Sequence, residues 1–155
     1  MTLLMEVRYE EAGVSSVTVD VVVEASAEFA WDAVRDVYAV DTRLIPGFAL
    51  HVEKGPHSRT VTFADDMKIT ERIVGVDDGA RKLTYQATEG GPLTHHLGSQ
   101  TVREDEEGVH LVWTTEFAPA SVIDYATSTM RTTVALMKKT IETAFADRRD
   151  PAATA

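Results

Sequence analysis

The stretch 121–147, SVIDYATSTMRTTVALMKKTIETAFAD, decides how this chain folds. Ala126, Met130, Val134, Met137, Ile141 and Phe145 follow one another at steps of three or four residues. That spacing lines one face of an α-helix with apolar side chains for about five turns. Ser121 opens the helix, and Asp124 three residues on is a capping-box-like partner. A long helix with one apolar stripe needs an apolar surface to cover it. The rest of the chain supplies one.

Val17-Thr18-Val19-Asp20-Val21-Val22-Val23 is β-branched and alternating, which predicts a strand. Ser26 then caps a short helix on which Phe29, Ala30, Ala33, Val34 and Val37 fall at helical spacing. A second short turn lies near Tyr38–Arg43, and Pro46-Gly47 ends the region. Strands follow at Phe48–Val52, Arg59–Phe63, Met67–Val76, Lys82–Thr88, His95–Arg103 and Val109–Phe117. Asp65-Asp66, Asp78-Gly79, Gly90-Gly91-Pro92 and Gly108 turn the chain between them. Such a meander is antiparallel, and a large sheet with one principal helix must curl around it. The expected architecture is α+β: a curved antiparallel sheet of about seven strands around the C-terminal helix, with two short helices after the first strand. Residues 1–16 read as an arm or extra strand, 17–147 as one ligand-binding domain, and 148–155 as a disordered tail.

Composition narrows the partners. The formal net charge of −10 over 155 residues, with no basic stripe, argues against nucleic acid and anionic membranes. The chain has no cysteine, which removes disulfides, thiolate metal sites and thiol nucleophiles. Met1–Met5 lacks the basic start and apolar core of a secretory signal, and no run is long enough to cross a bilayer. A cytoplasmic protein, monomer or homodimer, is expected.

The order of elements, with Ala25-Ser26-Ala27-Glu28-Phe29-Ala30-Trp31, Ser58–Phe63, Thr70-Glu71-Arg72-Ile73 and Val112–Phe117, resembles one superfamily. It comprises START-related lipid-binding domains, bacterial polyketide cyclases/dehydrases, birch-pollen-type allergens and plant abscisic acid receptors. The resemblance spans residues 17 to 147 and implies a helix-grip fold with an internal cavity for a small hydrophobic molecule. It also implies a glutamate in the Thr-Glu-Arg context that joins a polar network around the ligand, here Glu71. The gate and latch motifs of the hormone receptors are not reproduced. The fold hosts enzymes, carriers and receptors alike, so it does not choose among them.

Period-two alternation sorts each strand into two faces. Leu111, Trp113, Thr115 and Phe117 share the inward face of the last strand, matched across the hairpin by Val102, Gln100, Gly98 and His96. Val61 and Phe63 go with Arg59, Ile69 with Glu71, and Leu83 with Tyr85. The helix contributes Met130, Thr133 and Met137. Apolar walls with a small polar set are the make-up of a ligand site. Glu71, His96 and Arg59 are the catalytic candidates: Glu71 or His96 for proton transfer in an aldol closure or dehydration, with Arg59 or Tyr85 steadying an enolate oxygen. Against this, Arg59–Glu71 reads equally as a structural ion pair. The hydroxyl-rich run Thr127–Thr133 reads either as the wall of a partly hydrated cavity or as solvent-facing surface.

No metal or other cofactor is expected. His95 and His96 point to opposite faces of their strand, and no His-Glu-x-x-His spacing exists. The leading expectation is a polyketide-cyclase-like protein that binds or cyclises an aromatic metabolite. The alternatives are a non-catalytic lipid or isoprenoid carrier or sensor, and a cochaperone-like interaction domain.

Overall fold

A computed structural model describes residues 3–9 and 13–149. The chain runs through β1 (Leu3–Tyr9), β2 (Ser15–Val23), α1 (Ala27–Arg35), α2 (Val40–Arg43), β3 (Ala49–Gly55), β4 (Ser58–Phe63), β5 (Lys68–Asp77), β6 (Lys82–Glu89), β7 (His95–Asp105), β8 (Gly108–Ala118) and α3 (Ile123–Arg149). Every strand pair is antiparallel, in the order β1-β2-β8-β7-β6-β5-β4-β3. The described sheet has eight strands, because Leu3–Tyr9 adds an edge strand against β2. A 3₁₀ turn at Ala120–Val122 leads into α3, so the α-helix starts two residues after Ser121. It continues through Arg148 and Arg149, which had been read as tail; residues 150–155 lie outside the described residues.

The alternation of β2 becomes its burial. Val17, Val19, Val21 and Val23 are buried, and Thr18, Asp20 and Val22 between them are not. On the outer face Thr18 meets Thr114 and Thr60 meets Thr70, hydroxyl to hydroxyl, at 2.9 and 2.8 Å. The α3 stripe buries Met130, Val134, Met137 and Ile141 in the same core as the β2 valines. Lys138 Nζ donates to the Val22 carbonyl at 2.7 Å and ties α3 to the end of β2. Ser26 caps α1 by accepting the Phe29 N–H at 3.1 Å. The indole N–H of the buried Trp31 donates to Asp78 in the β5–β6 turn, at 2.9 Å.

Two irregularities shape the interior. In β5 the register with β6 shifts between Thr70 and Glu71, which sets Glu71 opposite the small Ala87. The β6–β7 ladder stops at the Tyr85–Gly98 pair, beyond which the two strands part. Among the described residues no helix is long and apolar enough to cross a membrane.

Candidate functional site

Where β6 and β7 separate, the sheet and α3 fail to meet, and a cavity of about 190 Å³ remains. Val61, Phe63, Ile69, Tyr85, Gln100, Trp113 and Thr115 line it from the sheet. Met130, Thr133 and Met137 line it from α3, and Val40, Leu44, Ile45 and Phe48 from the segment between α1 and β3. The exposed lining residues Asp65, Gly90, Gly91, Pro92 and Tyr125 mark where it opens to solvent.

The polar groups gather on one wall. Arg59 is buried; its Nε donates to Glu71 Oε1 at 2.9 Å and its NH1 to the Val37 carbonyl at 2.8 Å. Glu71 Oε2 has no hydrogen-bond partner among the described residues. The guanidinium also lies over the Tyr85 ring, 5.3 Å from its centroid. Trp113 Nε1 donates to the Tyr85 oxygen at 2.7 Å. Burial, with Glu71 next, pushes the Tyr85 pKa well above the ordinary phenol value, so the group stays a neutral donor.

His96 is fixed by the parting of the strands. The Ala87 N–H, left without a ladder partner on β7, donates to His96 Nδ1 at 2.8 Å. A nitrogen that accepts carries no proton, so the neutral ring holds its hydrogen on Nε2. Burial depresses the His96 pKa, opposed by the charge of Glu71 and aided by that of His95. The geometry therefore favours His96 as a hydrogen-bond donor to the cavity over the proton-transfer role the sequence also allows.

Of the sequence-predicted residues, Glu71, His96, Arg59, Val61, Phe63, Ile69, Tyr85, Gln100, Trp113, Thr115, Met130, Thr133 and Met137 all face this one space. Leu111 and Phe117 do not line it. They are enclosed by the packed core away from the cavity. In the hydroxyl-rich run only Thr129 and Thr133 join the wall besides Met130, and Ser128 and Thr132 face solvent. Thr133 commits its proton to the Thr129 carbonyl at 2.6 Å.

Sequence reasoning missed Val40, Leu44, Ile45 and Phe48, which sit in short irregular elements without a readable period. It also gave no role to Gly98. A Cβ there would stand 2.5 Å from Tyr85 Cζ, so the missing side chain is what lets the Tyr85 ring lie across β7. That Gly98 shares the inward face opposite Tyr85 was a usable signal.

Elsewhere, Asp105, Glu107 and His110 bring possible ligand atoms within 4.8 Å of one another. This group is already an ion cluster. His110 bonds Asp20 through Nδ1 at 2.7 Å and Asp105 through Nε2 at 2.9 Å, and Arg103 bonds both carboxylates. With both ring nitrogens so engaged, the histidine offers no lone pair to a metal.

A sequence profile of the family described as Polyketide cyclase / dehydrase and lipid transport matches residues 15–148. The chain belongs to this family. Solved structures agree in fold. The XoxI protein of Bacillus cereus superposes with a TM-score of 0.75 at 20% identity, over 87% of this chain and 98% of that one. The Zhui aromatase/cyclase from Streptomyces sp. R1128 gives 0.69 at 17% identity, over 90% and 98%. Norcoclaurine synthase from Thalictrum flavum, in complex with dopamine and hydroxybenzaldehyde, gives 0.66 at 16%, over 88% and 91%. At these identities the likeness is one of fold. No curated protein matches the chain in sequence.

Proposed function

We propose that the protein takes up a small, mostly apolar, oxygen-bearing molecule and moves a proton on it, in the manner of a cyclase or dehydrase. The observation that carries this reading is the cavity itself, apolar on most sides with Arg59, Glu71, Tyr85, His96 and Gln100 on one wall. Its size sets the scale of the ligand. At about 190 Å³ it exceeds the roughly 150 Å³ that encloses benzene and falls short of the roughly 300 Å³ at which drug-sized pockets begin. One or two rings fit; a longer polyketide or acyl chain needs the mouth at Gly90–Pro92 to widen.

The chemistry follows from which atoms are free. Glu71 holds Arg59 with one oxygen and has the other available to accept a proton from carbon. The Tyr85 O–H and His96 Nε2–H then steady the oxygen that gains charge as that proton leaves, a role their positions on the same wall support. Carriage without chemistry would use the same apolar walls and leave Glu71 idle.

One experiment separates the two. Titration with 2-tetralone, a two-ring enolisable ketone, should give saturable quenching of tryptophan emission, since Trp113 lines the cavity. The protein should also speed deuterium uptake next to the carbonyl, seen by proton NMR. Glu71→Gln should keep the binding and slow the exchange by about 10²-fold or more. Binding without accelerated exchange would leave a carrier. Absence of saturable binding by any one- or two-ring compound would overturn the reading.

A further inference from the structure

We propose that the ligand of this cavity is an uncharged molecule that donates a hydrogen bond, through a hydroxyl or an N–H group, to the side chain of Gln100. The inference rests on the reading of the cavity as a ligand site and says which molecules it selects.

Gln100 stands in mid-β7 opposite Trp113, is 6% exposed, and lines the cavity. Its Oε1 is buried and has no hydrogen-bond partner among the described residues. A buried carbonyl oxygen is rarely left so, because the bonds it had with water are not replaced. The neighbours do not supply the missing donor. The Trp113 N–H goes to Tyr85, the Ala87 N–H to His96, and the Thr133 hydroxyl to Thr129. Arg59 directs Nε to Glu71 and NH1 to Val37. The Tyr85 hydroxyl, which accepts the Trp113 N–H, makes no hydrogen bond to this Oε1 either. The donor that completes the wall comes from whatever fills the cavity.

The same wall fixes the ligand's charge. Arg59 and Glu71 cancel each other at 2.9 Å, and His96 is neutral while it accepts the Ala87 N–H. A carboxylate entering here would lose its water and meet no uncompensated cation; an ammonium would find Glu71 already paired. The Tyr85 O–H and the His96 Nε2–H remain as donors, so the best guest offers both a proton and a lone pair. A hydroxyl oxygen offers both at once.

The test uses one skeleton with four substituents at pH 7: naphthalene, 2-naphthol, 2-methoxynaphthalene and 2-naphthoate, titrated into the wild-type protein by calorimetry. The expected order puts 2-naphthol about tenfold tighter than 2-methoxynaphthalene and tighter still than 2-naphthoate. Gln100→Leu should bring 2-naphthol down to about the affinity of 2-methoxynaphthalene, whose oxygen still accepts from Tyr85 and His96, and leave naphthalene itself within about threefold. The wild-type comparison stands even if that variant fails to fold. Equal or tighter binding of 2-methoxynaphthalene would mean that the amide sits the other way round, taking the Tyr85 proton and presenting N–H groups; this overturns the proposal and leaves the cavity reading intact. Preference for 2-naphthoate would overturn the charge argument. If not even naphthalene binds, the reading of the cavity fails and the proposal falls with it.

Discussion

His96 and His110 lie on neighbouring strands, and the protein shifts their pKa values in opposite directions. His96 accepts a backbone N–H and is buried, so its pKa falls below the ordinary 6.5. His110 faces carboxylates with both nitrogens, Asp20 first and then Asp105, and its pKa rises above 6.5 against burial and the nearby Arg103. Asp105 in turn is held at about 2, chiefly by Arg103. The linkage signs therefore differ. Below 6.5 the unfolded chain binds a proton that folded His96 resists, so the stability due to His96 is present above 6.5 and is lost as pH falls. Folded His110 keeps a proton that the unfolded chain releases, so its contribution is full below 6.5 and is lost as pH rises through the folded value. Melting temperatures between pH 5 and 8 should show this. His96→Asn, whose carbonyl can replace Nδ1, should lessen the acid-side loss. His110→Gln should be most harmful below 6.5 and converge on wild type as pH rises. Parallel curves for the two variants would contradict these opposite shifts. Alternation along β7 was enough to place His96 inside from sequence alone. Its tautomer was not legible, because it depends on where the β6–β7 ladder ends.

At the scale of elements, β6 and β7 make the site through a glycine. Tyr85 and Gly98 are cross-strand partners, and the Tyr85 ring occupies the volume a side chain on Gly98 would need. Gly98→Ala should therefore push a rigid, buried ring instead of a flexible chain, break the Trp113–Tyr85 bond, and destabilise the protein by about 1–3 kcal/mol. Tryptophan emission and chemical denaturation would read both effects. An unchanged emission spectrum with unchanged stability would show that Tyr85 is not held by this contact. The same strands show what alternation can tell. It gave the face of Leu111, Trp113, Thr115 and Phe117 but not their place along the strand, and only Trp113 and Thr115 reach the cavity. Leu111 pairs with Val102 on β7, the strand against which α1 packs, and the core encloses it. Distance from the helices is a tertiary quantity, which a period of two does not carry.

For the whole molecule, Arg59 is the joint between parts that the sequence lists far apart. It binds Glu71 on the neighbouring strand and the Val37 carbonyl beyond α1. Arg59→Met should release that corner and leave a half-buried carboxylate unpaired, at a cost of about 3–5 kcal/mol in urea denaturation. Adding Glu71→Leu should restore much of the loss; no recovery would place the cost in the Val37 contact instead. The order of strands and the long helix were readable because each element has a regular period. The Val37 contact was not, since it joins a side chain to an irregular backbone. That same strand order has a bearing on biosynthesis. β2 lies between β1 and β8, and its Thr18 pairs with Thr114, 96 residues later. At about 5–20 residues per second, a ribosome needs roughly 5–20 s to make that interval. Meanwhile Val17, Val19, Val21 and Val23 have only the β1 hairpin beside them and neither β8 nor α3 to cover them. The most water-averse strand of the domain is thus translated early and sheltered last, which makes the nascent chain, more than the finished protein, the form that chaperones have reason to hold.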